Sequence, residues 1–260
     1  MSTAPPRTPT RDTRSVTRVR VDRPVEGGRA QVMLSATGAG DRPVVRPVLV
    51  SSDAQGATVS LVPEGALLLA GDAVSIEISV GPGAFLQLVE PGGTVAYPMF
   101  GDSASWDVTI DVAAAGRLVW SAEPFVVAAG ARVTRRTSIT LGPTAAVALR
   151  EVLVLGRHGE RPGHVEQELV AAGTSGRPLL ADGLVVGPDT TSLLLGGSRA
   201  MGSVLLLGRA LPEDASLPAS TRFDLEGGGT LVRRLAPGAH RAVDARTWAD
   251  ARSLARSGAV

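Results

Sequence analysis

Cysteine and lysine are missing from this 260-residue chain, and each absence excludes a class of chemistry. Without cysteine there are no disulfides, zinc–thiolate sites or thiol nucleophiles. All 26 positions counted as Lys or Arg are arginine. A chain without lysine cannot form a Schiff base with pyridoxal phosphate and cannot supply the lysine of a phosphate-binding P-loop.

Aromatic residues and long apolar runs are also scarce. Aromatics make up 3% of the chain against a hydrophobic fraction of 44%, so the core must be built mainly from Val, Leu, Ile and Ala. Segments such as LLLAG and VLLLG are too short to cross a bilayer. The formal net charge of +1 argues against nucleic acid or an anionic membrane as the main partner. We therefore expect a soluble protein, and the lack of cysteine fits the cytoplasm.

The N-terminal 20 residues are rich in Arg, Ser, Thr and Pro and lack the apolar segment of a signal peptide. We interpret them as a disordered tail. The chain then divides into three predicted regions, which are this tail over 1–20, a β-rich domain over 21–236, and a C-terminal helix and tail over 237–260.

The predicted β-rich domain consists of short apolar runs separated by turn residues, with 31 Gly and 18 Pro in the chain. The segments AVSIEISV (73–80) and WDVTIDV (106–112) alternate apolar and polar residues, which is typical of strands with one buried face. No helical period is maintained over 30–235. The interior is predicted to be all β.

A weak internal repeat refines this prediction. Three segments end a strand, turn through Gly, Ala or Pro, and begin a second strand; they start at Ile78, Ile110 and Ile139. Repeats of about thirty residues are characteristic of stacked arrays. The pattern predicts a coiled β-solenoid or a two-layer stack of sheets.

The last segment changes character after Pro237-Gly238. It contains good helix formers, and Val243, Trp248, Ala251 and Ala255 form a modest apolar stripe. We predict one C-terminal helix, packed on the β body or on a partner.

One segment resembles a hydrolase motif. Gly196-Gly197-Ser198-Arg199-Ala200 nearly matches the nucleophile elbow G-x-S-x-G, and Asp224 and His240 follow in the order Ser, Asp, His. Both flanks, TSLLL and SVLLLG, are interpreted as strands, whereas an elbow leads into a helix. A turn between two strands is the favoured interpretation.

Metal-ligand patterns are sparse. His158 and His164 lie in a Gly/Arg/Pro segment without H-x-H or H-E-x-x-H spacing, so we expect no permanent metal site within this chain. Carboxylates at strand ends are the remaining candidates for a weak, exchanging cation path. They are Asp72, Glu90, Glu123, Glu151 and Asp182. Glu90 and Glu151 occupy equivalent repeat positions and Glu123 is one residue off, but acids at strand ends more often cap turns or are solvated.

Several segments in order resemble the UreD (UreH) family of urease accessory proteins. They are LLLAGDAVSIEISVGPGAFLQL, LVWSAEPFVVAAGA, ALREVLVLGRHGER, GRPLLADGL, GSVLLLG and a C-terminal Ala/Arg-rich helix, together covering about 30–255. No single motif is strong, and the resemblance lies in their order and spacing.

The resemblance implies a β-rich, non-enzymatic metallochaperone scaffold that binds apo-urease and UreF, with the GTPase UreG recruited through UreF, and it leaves a dimeric complex open. It also implies transient passage of Ni²⁺ with no permanently bound cofactor. On that basis Asp72 is the leading path carboxylate, followed by Glu123, Glu151 and Asp182.

The segment 89–102 departs from the family pattern, since a Leu-Thr-Thr run is missing and the flanks differ. This departure puts partner contacts there in doubt. Two alternatives remain, which are a β-rich adaptor that has lost nickel transfer and a serine hydrolase using Ser198.

Overall fold

Strands form most of the protein, as the apolar–polar alternation predicts. The computed structural model describes residues 13–24, 27–39, 43–65, 68–213 and 221–257. The elements, in chain order, are β1 (Thr13–Asp22), β2 (Gln31–Thr37), β3 (Val45–Ser52), β4 (Gly56–Pro63), β5 (Asp72–Val80), β6 (Phe85–Val89), β7 (Thr94–Ala96), β8 (Ala104–Val112), β9 (Arg117–Ser121), β10 (Phe125–Val127), β11 (Arg132–Leu141), β12 (Ala146–Leu155), β13 (His164–Gly173), β14 (Pro178–Val186), α1 (Thr191–Leu195), β15 (Ala200–Leu207), β16 (Arg222–Asp224), β17 (Gly229–Ala236) and α2 (Ala245–Arg256).

The strands form two facing sheets that the chain visits alternately. Sheet A has the order β14-β13-β11-β8-β5-β1-β2, and sheet B has β16-β17-β15-β12-β9-β6-β4-β3. The central pairs are parallel, because each coil places one strand in sheet A (β5, β8, β11) and the next in sheet B (β6, β9, β12). The result is a β-solenoid of about four turns, which confirms the predicted fold class.

The repeat predicted from sequence is confirmed in the register of sheet A. Ile78 pairs with Ile110, and Ile110 pairs with Ile139. The three side chains are 1%, 0% and 2% exposed, so they form one buried row across successive coils. Equivalent positions of the sequence repeat are therefore equivalent positions of the solenoid.

The turns that leave sheet A also stack. The backbone amides that follow β5, β8 and β11 each donate a 2.8 Å hydrogen bond to a backbone carbonyl near the end of the neighbouring sheet A strand in the preceding coil. The pairs are Gly81 with Val21, Ala113 with Val80, and Gly142 with Val112. At Gly142 a Cβ atom would lie 2.6 Å from the amide nitrogen of Ala114, so the close approach of two turns requires glycine there.

Helix α2 covers the outer face of sheet B. Its residues Trp248, Ala251 and Ala255 are buried against small residues of β12, including Ala146 and Ala148. The helix begins at Asp244, whose carboxylate accepts a 2.7 Å hydrogen bond from the amide of Thr247, as N-cap residues do. The predicted C-terminal helix is thus confirmed, and it packs on the β body.

The tail predicted over 1–20 is wrong from residue 13 onward, while 1–12 lie outside the described residues. Strand β1 pairs in parallel with β5. Its inward positions carry Ser15 and Thr17 as well as valines, and both polar residues are fully buried. The hydroxyl of Thr17 donates to the carbonyl of Val45 at 2.6 Å, which satisfies it inside the protein.

The strand predicted for TSLLL is also wrong, because these residues form the short helix α1. A run of five residues is too short for periodicity to separate strand from helix. Neither helix within the described ranges has the length and apolar character that a bilayer crossing requires.

Replacing Ile110 by alanine is expected to lower the free energy of unfolding by about 2–5 kcal/mol, because it leaves a cavity in the central buried row. Thr109→Ala is the matched control, since Thr109 is the neighbouring residue of β8 and is exposed on the other face; it should change stability by less than about 0.5 kcal/mol. Urea denaturation measures both. Equal effects of the two substitutions would contradict the assigned register.

Candidate functional site

A row of polar residues crosses the interior of sheet B. Ser121 of β9 pairs with Val89 on one side and with Arg150 on the other, so the next residues, Glu90, Ala122 and Glu151, are also neighbours. Across the rest of the sheet Glu151 pairs with Ser203, and Ser203 pairs with Arg233. We call this set the interior polar row: Glu90, Ala122, Glu151, Ser203 and Arg233. It faces the core, because the residues two positions away on the same strands are buried and at most 4% exposed, namely Leu88, Trp120, Leu149, Leu205 and Leu231.

Glu90 begins this row and is held by two donors. Its Oε1 accepts a hydrogen bond from the indole N–H of Trp120, and its Oε2 accepts one from the backbone N–H of Glu123, both at 2.9 Å. Burial raises the pKa of Glu90 to about 7, against the opposing effect of these two donors and of the nearby Arg135. Glu90 therefore keeps its proton to a higher pH than an exposed glutamate does.

Arg135 connects the two sheets at the same level. Projecting inward from β11, it donates from Nη1 to Gln167 Oε1 at 2.8 Å and from Nη2 to Glu151 Oε1 at 2.9 Å. Its guanidinium lies over the ring of Phe125, 4.4 Å from the centroid. Its Nε is buried without a hydrogen-bond partner in the described part of the chain.

These groups surround a small internal cavity. Its volume is about 20 Å³, and its lining includes Glu90, Glu123, Arg135 and Glu151. A second cavity of about 10 Å³ shares Glu90, Thr94 and Trp106 with the first. The larger one has room for roughly a single water molecule. The interior thus holds a polar chamber within an otherwise apolar core.

Two of the carboxylates chosen from the sequence, Glu123 and Glu151, line this chamber. Glu123 accepts from Arg150 Nη2 at 3.2 Å and its side chain is 39% exposed, whereas the side chain of Glu151 is 14% exposed and pairs with Arg135. The register bears out the equivalence of Glu90 and Glu151 and the one-residue offset of Glu123.

Asp182 lies farther along the same interior. Its two oxygens accept from Arg233 Nη1 and Nη2 at 3.0 and 2.6 Å. Arg233 also donates from Nε to the hydroxyl of Ser203 at 3.3 Å, which links Asp182 of sheet A to the interior polar row.

Asp72 is not part of the chamber lining. It is 8% exposed at the inward face of β5, where its Oδ2 accepts a 2.7 Å hydrogen bond from the amide of Leu69 and caps the turn before the strand. Its Oδ1 has no hydrogen-bond partner within the described residues.

From the sequence, Glu90 was one of the strand-end carboxylates but was not among the predicted path residues, and Arg135 was not considered. A signal was present, because Arg135 occupies an inward position of an alternating strand, two residues from Val133 on the face that also carries Ile139. A charged residue at such a position is buried and must be paired.

Ser198 does not form a nucleophile elbow. Helix α1 precedes the Gly-Gly-Ser turn and strand β15 follows it, which reverses the strand–turn–helix order that the elbow needs. Asp224 is bound to Arg222 and Thr230. Among the described residues no group of three or more His, Cys, Asp or Glu side chains is arranged to hold a metal ion.

Comparison with known proteins gives a consistent result. The family model described as "UreD urease accessory protein" matches residues 18–258. The chain is similar to "Urease accessory protein UreD 1" of Streptomyces griseus, with 46% identity over 193 residues that cover 73% of each chain. It is also similar to "Urease accessory protein UreD" of Streptomyces avermitilis, with 33% identity over 239 residues, 82% of this chain and 92% of the relative.

Replacing Glu90 by glutamine is expected to remove a pH dependence of stability. The folded protein holds the Glu90 proton up to about pH 7, whereas the unfolded chain releases it near the ordinary pKa of 4.5, so the wild type loses stability as pH rises between these values. The full displacement corresponds to roughly 3 kcal/mol, an upper value because Glu90 is only partly buried. Glutamine stays neutral and keeps an acceptor oxygen, so the variant should gain relative to wild type between about pH 5 and pH 8.

Urea denaturation at both pH values measures this difference. Glu166→Gln is the control, because Glu166 is exposed on the outer face of β13; it should follow the wild-type profile. A Glu90→Gln variant that also follows the wild-type profile would contradict the assigned ionisation of Glu90.

Proposed function

This chain belongs to the UreD family of urease accessory proteins, which gives it a role in urease maturation, and we propose that in this role it is the scaffold through which nickel reaches the apo-enzyme. The observation that carries the proposal is the polar chamber, whose lining includes Glu90, Glu123 and Glu151, although these side chains are not arranged as a metal-holding group in the described part of the chain. Nickel is the cargo in this proposal and has no resident site in the chain.

The chemistry of the chamber suits a cargo ion that must move on. Carboxylate oxygens bind divalent cations weakly and exchange them fast, whereas thiolates hold them tightly. The chain has no cysteine at all, and its candidate ligands are oxygens. A series of weak oxygen sites along a path can transfer an ion from one site to the next without trapping it. In the proposed path Asp72 contributes a carboxylate, one oxygen of which has no hydrogen-bond partner among the described residues, and Asp182 lies beyond Glu151.

We propose that the scaffold acts in a complex with UreF, apo-urease and, through UreF, the GTPase UreG. The described surface supports dependence on partners, because several large apolar side chains are exposed. Phe100 is 96% exposed and Leu193 is 84% exposed. Three further exposed residues, Leu194, Phe223 and Leu235, line one surface groove, and exposed apolar groups that occur together are typical of interaction sites.

A second candidate function is an adaptor that keeps the fold without passing nickel. One observation favours it, since Glu151 and Asp182 are each neutralised by an arginine, Arg135 and Arg233. In that case the polar chamber only stabilises the packing of the two sheets.

Complementation separates these functions. A urease operon lacking its UreD gene is expressed with and without this chain in nickel-supplemented cells, and ammonia release from urea is assayed. The conduit predicts restored activity and nickel in the purified urease. Association with urease or its accessory proteins without nickel incorporation would favour the adaptor, and neither activity nor association would overturn both.

In the same assay Asp72→Asn is expected to reduce nickel incorporation by about tenfold, equivalent to losing roughly 1.4 kcal/mol of cation stabilisation. Asparagine keeps an oxygen that can accept from Leu69, so the turn should persist while the charge is lost. Asp111→Asn is the matched control, because Asp111 is exposed on the outer face of β8. If the Asp72→Asn variant supports nickel incorporation at the wild-type level, Asp72 serves only to cap the turn.

A further inference from the structure

We propose that Arg135 is a latch on the polar chamber, and that a divalent cation occupies the chamber only when the guanidinium leaves Glu151. This inference rests on the proposed passage of nickel through the solenoid. It adds a residue that closes the path to the residues that form it.

The position of Arg135 is the first argument. In sheet A it pairs with Trp106 of the preceding coil and with Gln167 of the next, and Trp106 pairs with Val74. The two preceding coils thus place Trp106 and Val74 at this level, next to Ser15 of β1, and the charge first enters at Arg135. From there the guanidinium reaches across to Glu151 of sheet B and contacts the chamber beside Glu90.

The contacts of Arg135 give the second argument. Its two terminal nitrogens are bound to Gln167 and Glu151, but its buried Nε lacks a partner among the described residues. The cavity beside it has room for about one water-sized group. The guanidinium is therefore held by its two terminal nitrogens and has some space to rearrange.

Electrostatics give the third argument. In the closed arrangement the negative charge of Glu151 is neutralised by Arg135, and the guanidinium lies next to any ion that enters the chamber. Like charges at such short separation repel strongly where water is largely excluded. The described carboxyl groups form no three-ligand metal group in the closed arrangement, and movement of Arg135 would free Glu151 in a cavity that Glu123 and Glu90 also line. The same movement removes a repulsive charge and releases a ligand.

The test compares Arg135→Gln with Arg136→Gln in the full-length chain. Arg136 is the next residue of the same strand, but it points outward, is 56% exposed, and makes only long contacts of 3.8 and 3.9 Å to Asp107 and Glu168. Equilibrium dialysis against Ni²⁺ gives the affinity, and thermal unfolding checks that each variant is folded. The latch predicts about tenfold tighter nickel binding for Arg135→Gln, equivalent to roughly 1.4 kcal/mol, and no change for Arg136→Gln.

Two further variants keep the test decisive. Arg135→Gln combined with Glu151→Gln leaves no buried charge unpaired, so it should fold, and its nickel affinity should return to the wild-type value. Arg135→Lys keeps a positive charge with a single point of contact and should raise the affinity by a smaller factor. A folded Arg135→Gln or Arg135→Lys with wild-type affinity, or an equal gain in Arg136→Gln, would overturn the latch. A gain that survives in the double variant would also overturn it, because Glu151 would not be the released ligand.

The proposed function fails separately from the latch. If the wild-type chain does not support urease maturation, the proposal of nickel delivery is rejected, and equilibrium dialysis still tests whether Arg135 controls nickel binding. If maturation is supported and dialysis shows no shift, the latch falls alone. If both hold, Arg135→Gln should slow maturation at limiting nickel, because the chamber retains the ion.

Discussion

The parallel register between successive coils is the constraint on which the rest of this structure depends. Hydrogen bonds between β5, β8 and β11 align every residue with its equivalent in the next coil. Whatever a coil places inward is therefore stacked on the inward residue of its neighbour. The isoleucines at 78, 110 and 139 exploit this alignment, since identical β-branched side chains pack well on a pleated surface.

The same constraint makes polar residues in the interior conspicuous and costly. A carboxylate at an inward position, such as Glu151 between Ala122 and Ser203, cannot turn to solvent without breaking the register. Glu151 and Asp182 are each compensated by an arginine from a facing or neighbouring strand, and Glu90 by two N–H donors and a raised pKa. Buried ion pairs of this kind often add little net stability compared with apolar residues of similar volume. Their presence is better explained by a use for the chamber than by a requirement of the fold.

The sequence predicted those features that local alternation encodes. The strands at β5 and β8, the thirty-residue repeat and the equivalence of Glu90 and Glu151 follow from apolar periodicity and spacing. Strand β1 was missed because Ser15 and Thr17 stand where apolar residues were expected, and their burial depends on acceptors and donors supplied by the segment around Val44 and Val45. Helix α1 was missed because five residues carry too little periodicity. The inward position of Arg135 can be deduced from the alternation of its strand, but its partners lie 16 and 32 positions away, and no local pattern reveals them.

The conduit and the adaptor functions give different reasons for one pair of residues, Arg135 and Glu151. If the interior polar row served only to hold the sheets together, an apolar pair of the same volume at Arg135 and Glu151 would serve at least as well. The adjoining cavity and the partly exposed carboxylate of Glu123 are features that a purely structural core does not need. The ion pair of Arg135 and Glu151 beside this cavity is thus the main structural argument for a chamber that changes its occupant.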